Sequence, residues 1–306
     1  MFDRYGRKTS SLRIAVTQRC NQKCIYCHNE GQIPSTKEMS LEELDKILGA
    51  AASIGAKKVK ITGGEPLVRR DIVDVVDACS RLFKEVSLTT NGVLLENLAG
   101  PLREAGLSRI NISLDSIDER TYHKITGRNH LAKVLKGIEA ACRTGFGSIK
   151  LNAVILNGLN HTELEALTQF SAEKSAILQL IELTARKDET ASPFYQTYHY
   201  DLGDFERTLG TWATDVRTNE IHNRKRYVLR VNGWKATVEV VRSMSNRDFC
   251  ANCTRIRVTS DGRIKPCLLT HSGEIETLDL LKAGVDGKAL EALFVQAIMS
   301  RKPYWD

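Results

Sequence analysis

From residue 11 to residue 184, short apolar runs alternate with longer stretches whose apolar positions recur every three or four residues. The short runs, 11–17, 57–62, 85–90, 108–114, 148–155 and 177–183, predict strands; the longer ones, 40–54, 71–83, 94–105, 130–144 and 161–173, predict amphipathic helices. Ser40 stands as a helix N-cap with Glu43 three residues later, a pair in which each side chain satisfies the other's free backbone N–H. Gly106 and Gly145 follow two of the helices, where a left-handed residue ends the turn. Regular alternation of strand and helix predicts a parallel sheet, either wound as a barrel or left open.

The predicted strands carry more polar residues than a parallel sheet covered on both faces should. Arg13 and Thr17 stand on the first, Lys58, Lys60 and Thr62 on the second, and Ser87, Thr89 and Asn91 on the third. Asn111, Ser113 and Asp115 follow on the fourth, Lys150 and Asn152 on the fifth. Within each strand they occupy alternate positions and so share a face. One reading puts them at strand ends facing water. The other is an interior lined for a polar ligand. A closed eight-stranded barrel fills its interior with branched apolar side chains, whereas an open six-stranded barrel leaves room for substrate.

Beyond residue 184 the pattern changes. Residues 185–203 hold Pro193 and four tyrosine or phenylalanine residues and read as loop. A helix is predicted over 204–216, and a hairpin over 226–231 and 235–241 around Asn232 and Gly233. The expected organisation is an α/β partial barrel over 1–184 and a smaller C-terminal domain over 185–306.

Cysteine placement adds chemistry to this frame. Cys20, Cys24 and Cys27 fall in the spacing C-x3-C-x2-C on the loop after the first predicted strand. Thiolates ligate iron–sulfur clusters, and three of them on a four-iron cube leave one iron open. A structural zinc site is the competing reading. Such sites close with four ligands, and His28, directly after Cys27, is awkward for completing a tetrahedron. Cys250, Cys253 and Cys267 form C-x2-C-x13-C, a spacing divided evenly between zinc, with His271 as a conceivable fourth ligand, and a second cluster. The first trio favours the second cluster. Cys79 and Cys142 fall on predicted helices and read as small core hydrophobes.

Composition narrows the setting. At 306 residues and 42% hydrophobic content the chain can bury a large core. Its net charge of +7, from 44 basic and 37 acidic residues, is spread along the chain. It suits an anionic small molecule, and no basic block singles out nucleic acid. The first eight residues are charged from the start and no apolar run is long enough to cross a membrane, so no export or membrane insertion is expected. A cytoplasmic setting then favours metal ligation over disulfides for the eight cysteines.

Two further motifs complete the picture. Thr62, Gly63, Gly64, Glu65 and Pro66 end the second strand, with two glycines that let a ligand approach the backbone and a carboxylate able to receive an ammonium. A tight turn alone would also explain them. Arg255 and Arg257, two apart on a predicted strand, point the same way; their guanidinium forks suit phosphate oxygens, or they form a solvated edge pair.

The cysteine loop, with Tyr26 before its last cysteine, and the glycine-glycine-glutamate turn resemble those of the radical S-adenosylmethionine (SAM) enzymes. In these enzymes the open iron chelates SAM, and an electron from the cluster cleaves it to a 5′-deoxyadenosyl radical. The stretches LRIAVTQRCNQKCIYC, KVKITGGEPLVRRDI, SLTTNG, AGLSRINISLDS, ITGR, IKLNAVILNGLN and FCANCTRIRVTSDGRIKPCL, in this order over nearly the whole length, resemble the GTP 3′,8-cyclase family of molybdenum-cofactor biosynthesis.

The resemblance implies an open six-stranded β/α barrel of the TIM type, capped by a C-terminal domain with a second [4Fe-4S] cluster. It implies Cys20, Cys24 and Cys27 as ligands of the SAM cluster and Cys250, Cys253 and Cys267 as ligands of the second, whose open iron faces the guanine. Tyr26, Gly64, Glu65, Ser113 and Thr184 fall where members contact SAM, and Arg13, Lys60, Thr89, Lys150, Arg255 and Arg257 where they contact GTP. The implied reaction removes the 3′ hydrogen of GTP and joins C3′ to C8. An electron donor and a downstream cyclic pyranopterin monophosphate synthase are implied as partners, and a homodimer is left open. Two departures stand out: Thr184 replaces a frequent methionine, and residues 301–306 lack the family's Gly-Gly tail. The alternatives are another radical SAM enzyme with an auxiliary cluster, such as a peptide-maturation enzyme, and a non-enzymatic metal-binding regulator.

Overall fold

The computed structural model describes residues 1–219, 224–244 and 246–305. Its frame is six parallel strands laid side by side in chain order: β1 (Ser11–Ala15), β2 (Lys58–Thr62), β3 (Glu85–Thr90), β4 (Arg109–Ser113), β5 (Ser148–Ile155) and β6 (Ile177–Glu182). Between them run α1 (Leu41–Ser53), α2 (Ile72–Leu82), α3 (Leu95–Glu104), α4 (Glu119–Thr126), α5 (Leu131–Thr144) and α6 (Leu164–Glu173). The capping box expected at α1 is present: Ser40 Oγ accepts from the Glu43 N–H and Glu43 accepts from the Ser40 N–H. Leu12, Ile14, Val59, Ile61, Leu88 and Ile112 point from the strands into the helical layer and are fully or almost fully buried.

The later part of the chain builds both edges of this sheet. It continues as α7 (Pro193–Tyr198), α8 (Gly203–Trp212), β7 (Asp215–Asn219), β8 (Arg224–Val231) and β9 (Trp234–Val241). Then come α9 (Arg247–Ala251), β10 (Arg255–Val258), β11 (Ile264–Lys265), α10 (Leu278–Lys282) and α11 (Gly287–Met299). β9 joins β6 in parallel and β10 joins β1 in parallel, so the strand order is β11-β10-β1-β2-β3-β4-β5-β6-β9-β8-β7 in one open sheet. Among the described residues no helix is long and apolar enough to cross a membrane.

Several elements differ from expectation. The helix predicted over 204–216 ends at Trp212, and the chain then enters the edge strand β7, in which Val216 is the one apolar residue. Helix α4 was hidden by its polar face; Asp118 caps it by accepting from the Thr121 N–H, and Gly127 closes it at φ 66°. The last predicted helix of the barrel starts at Leu164, not 161. Just before it, Asn160 receives the Leu156 N–H and donates to the carbonyls of Asp115 and Val154, and Glu163 accepts from Ser116 and Ile117, which ties this segment to the loop after β4. Residues 185–203 include α7, whose N-cap Ser192 precedes Pro193. The 232–233 turn is left-handed at both residues, φ 47° and 83°, as a two-residue hairpin requires.

Register gives the sheet its function. Lys265, Arg257, Arg13, Lys60, Ser87 and Arg109 align as one row across β11, β10, β1, β2, β3 and β4. Thr89, Asn111 and Lys150 form a second row, and Ser113, Asn152, Gln179 and Glu239 a third. The alternate polar positions therefore converge on the concave face.

Close packing behind that face is tested at Gly137 of α5, where an added Cβ would collide with the backbone carbonyl of Gly92. Neither partner is a movable side-chain end. Gly137→Ala should cost about 1–3 kcal/mol of stability by overpacking, read as a lower denaturant midpoint.

Candidate active site

The concave face encloses a cavity of about 480 Å³ lined by all the candidate residues of both cysteine trios, the SAM set and the GTP set. The loop after β1 is seated on the end of β2 by backbone contact. Gly64 N–H donates to Thr17 O at 2.7 Å and Glu65 N–H to Arg19 O at 2.8 Å. A Cβ on Gly64 would lie 2.5 Å from the carbonyl oxygens of Gln18 and Arg19, so only glycine permits this approach.

The first trio is free of disulfides and opens onto the cavity. Gln22 N–H donates to Cys20 Sγ and Asn29 N–H to Cys27 Sγ, both at 3.4 Å. Burial pushes the Cys20 and Cys24 thiols up, with the Asp115 carboxylate adding to the effect at Cys24. Three thiols in one loop, two of them already accepting backbone N–H bonds, fit the sulfur ligands of an iron–sulfur cluster. Among the described residues no group of three or more His, Cys, Asp or Glu side chains is arranged to hold a single metal ion.

Around this loop the strand ends are tied together. Tyr26 Oη donates to Asp115 Oδ2 at 2.7 Å, while Asp115 Oδ1 receives the Val154 N–H at 2.9 Å. Burial lifts Asp115 to about 6. Glu65, expected to face an ammonium, lines the cavity and accepts three hydrogen bonds from the protein. Its Oε1 receives Thr90 Oγ1 at 2.7 Å and Leu67 N–H at 3.0 Å, and its Oε2 receives Asn91 N–H at 2.6 Å. Burial still raises it to about 7. Thr184, beyond β6, pairs its hydroxyl with that of Ser243 at 2.9 Å.

The second trio lines the same cavity, from α9 to the segment after β11. Burial would raise the Cys253 thiol, but the Arg255 and Arg301 guanidiniums outweigh it and bring it down to about 7. This suits a thiolate ligand. His271, a conceivable fourth zinc ligand, is exposed, and its Nδ1 meets Glu274 Oε1 at 2.7 Å. Glu274 also pairs with the buried Lys265.

Cations crowd the remaining wall. Because β10 pairs directly with β1, Arg13, Arg255 and Arg257 stand together on one wall. Lys60 is held well below the usual lysine range by burial and by Arg13, Lys150, Arg224 and Arg109. Burial, partly offset by Glu239, brings Lys150 down to about 8.

Sequence reading missed the two carboxylates that organise these cations. Glu30 follows Asn29 and precedes Gly31 in a run of left-handed residues with φ of 46°, 53° and 66°. That turn sets its carboxylate 3.4 Å from Arg13 Nη1 and 2.8 Å from Arg257 Nη1. Burial would raise Glu30, yet Arg13 and Arg257 bring it to about 2. Glu239, on β9, lies 2.5 Å from Lys150 Nζ. An acidic residue before a glycine in the cysteine loop was a visible signal for the first; none marked the second. Lys302, Tyr304 and Trp305 line the cavity near the chain end, while Asp306 of the same tail lies outside the described residues.

Glu30→Gln would leave two neighbouring guanidiniums without their counter-ion. It should lose about 3 kcal/mol of stability, as breaking a buried pair does. Added phosphate should stabilise the variant more than the parent protein in thermal melts; equal stabilisation would show that the arginines are not open to anions.

Comparison with known proteins agrees along the whole chain. Residues 14–171 match the Radical SAM superfamily and residues 176–306 match Molybdenum Cofactor Synthesis C. The probable GTP 3′,8-cyclase of Pyrococcus abyssi is 43% identical over 305 residues, covering 100% of this chain and 99% of that protein. That of Methanothermobacter marburgensis is 43% identical over 307 residues, covering 100% and 99%. The crystal structure of Streptococcus suis SuiB bound to S-adenosylmethionine superposes with a TM-score of 0.64 at 17% identity, over 97% of this chain and 70% of that one. Native anSMEcpe with bound AdoMet gives 0.61 at 18% identity, over 85% and 75%. At such identities the two solved structures establish a shared fold only. With family matches on both halves and full-length identity of 43% to a named relative, the chain belongs to the radical SAM superfamily and, within it, to the GTP 3′,8-cyclase family.

Proposed function

We propose that the protein binds SAM and GTP together in this cavity and converts GTP to its 3′,8-cyclised form, an early step of molybdenum-cofactor biosynthesis. The observation that carries the reading is the meeting of two cysteine trios and a band of under-neutralised cations on one cavity. Cys20, Cys24 and Cys27 would hold a [4Fe-4S] cluster beside the SAM site formed by Tyr26, Gly64, Glu65, Ser113 and Thr184. Cys250, Cys253 and Cys267 would hold a second. When bound, the first cluster and SAM supply the hydrogen-abstracting radical chemistry. The chain's own residues position and neutralise. Arg13, Lys60, Thr89, Lys150, Arg255 and Arg257 would grip the nucleotide, and the enclosing sheet would exclude water from the reacting carbons. An electron donor is required, and the product would pass to a cyclic pyranopterin monophosphate synthase.

Peptide maturation is the weaker reading. A peptide carries no triphosphate to match the cationic wall, and full-length identity of 43% lies with the cyclase-named relatives. A regulator would need no SAM pocket.

Anaerobic reconstitution with SAM, reductant and GTP, followed by mass and NMR analysis of the product, tests the activity. Iron and sulfide should each reach about eight per chain. Cys24→Ala should abolish SAM cleavage, whereas Cys253→Ala should keep it and lose productive GTP binding. Equal loss of cleavage in two folded variants would overturn the division of labour.

Proton uptake gives an independent check. Lys60 is depressed by burial and neighbouring cations, and Lys150 by burial, with Glu239 opposing the shift. A bound triphosphate raises both, so binding should draw protons from solvent. Calorimetry near pH 8.5 in buffers of different ionisation enthalpy should show net uptake with GTP and none with guanosine. Lys60→Met should reduce it. A buffer-independent enthalpy would sink the triphosphate placement.

A further inference from the structure

Glu239 is saturated by its neighbours. Its Oε2 receives Lys150 Nζ at 2.5 Å and Gln179 Nε2 at 2.8 Å; its Oε1 receives Arg226 Nε at 3.1 Å and Nη2 at 2.7 Å. Arg224, two residues before Arg226 on β8, shares this neighbourhood without a proper place in it. Its Nη1 stops 3.8 Å from Glu239 Oε2, beyond hydrogen-bond range, and its Nε is buried without a partner among the described residues. Arg224 lines the cavity, while Arg226, whose Nε and Nη2 both donate to Glu239, does not. Burial, incompletely offset by Glu239 and reinforced by repulsion from Arg255, Arg13 and Arg109, pulls Arg224 down to about 10.

A mostly buried guanidinium with an orphaned donor, facing other cations, destabilises the free protein. Such an arrangement persists where a ligand completes it. The free ligand must bring negative charge and several acceptor oxygens, since a guanidinium presents donors in a fixed fork. We propose that Arg224 is a further substrate ligand, supplied by the sheet edge that the C-terminal region builds, and that it binds phosphate oxygens of the nucleotide opposite the Arg13, Arg255 and Arg257 wall. Glu239 is its positioning residue: by engaging Lys150 and Arg226 it leaves Arg224, of the three cations around it, open to the cavity. This assignment rests on GTP as substrate.

Binding of GTP and of guanosine to the anaerobically reconstituted protein tests it, with melting temperatures taken in the absence of nucleotide. Arg224→Ala should weaken GTP roughly tenfold to a hundredfold, the range for losing one charged hydrogen-bonding partner, and leave guanosine within about twofold. Arg224→Lys should recover part of the loss, because it restores charge without the fork. Arg217→Ala removes one exposed positive charge from β7 and should leave GTP affinity unchanged. The melting temperature of Arg224→Ala without nucleotide should stay level or rise, since a repelled cation is gone. An Arg224→Ala chain that melts earlier or fails to fold would reveal a structural role and overturn the assignment, as would equal losses for GTP and guanosine. GTP affinity retained within twofold in Arg224→Ala overturns it while leaving the substrate reading intact. A parent protein that takes up no GTP overturns both.

Discussion

Repulsion between buried like charges is the constraint around which this molecule is organised. Strands in a sheet lie about 4.8 Å apart, and two unit charges at that spacing repel by up to about 3.5 kcal/mol at an effective dielectric near 20. The row that runs Lys265, Arg257, Arg13, Lys60 places four cations on four successive strands. A fold that accepts such a row must neutralise part of it internally and recover the rest from a ligand. Glu30 and Glu274 perform the first task on one wall, and Glu239 on the other. Lys60 and Arg255 have no carboxylate within ion-pair distance among the described residues. These unmatched cations mark the places where an incoming polyanion gains most.

Much of this was legible in the chain because a parallel sheet translates alternation into geometry directly. Alternate polar residues on a strand must share a face, and in-register parallel pairing must line those faces up. Hence Arg13, Lys60, Thr89 and Lys150 could be placed on one surface without knowing a single contact. Cysteine spacing was legible for a similar reason: a short loop leaves its thiols few places to go. The capping box at Ser40 and the left-handed Asn232 and Gly233 are decided within four residues.

What was not legible depends on partners distant in sequence. Nothing near Arg257 says that β10 will pair with β1 and put Arg257 beside Arg13 rather than opposite it. Glu239 sits in a stretch that reads as an ordinary hairpin strand, and its meaning appears only when Lys150, eighty-nine positions away, comes within 2.5 Å. Glu65 shows the converse. Its motif was plain, yet the donors that hold its carboxylate, from Thr90, Asn91 and Leu67, arrive from the end of β3 and the turn after β2. Helix α11, with Leu290, Phe294, Ala297 and Ile298 buried, was not expected from the chain although its apolar period is regular, and its packing against α1 lay beyond local pattern.

The continuity of the sheet bears on why both ends of the chain are needed at one site. If the C-terminal region were a separate lid, its residues would meet the cavity through a mobile interface, and positions would vary by more than a charged site tolerates. Instead β10 and β9 are hydrogen-bonded to β1 and β6, so Arg257 and Glu239 are fixed to the same backbone lattice as Arg13 and Lys150. Arg301 adds a clamp from the far end of the chain, donating to Cys253 O at 2.6 Å and Thr9 Oγ1 at 2.8 Å. Radical chemistry on a nucleotide needs the reacting carbon held near its hydrogen acceptor and away from water, and small displacements are costly in rate. A single lattice carrying both cysteine trios and both cationic walls meets that requirement in a way that two hinged domains would not.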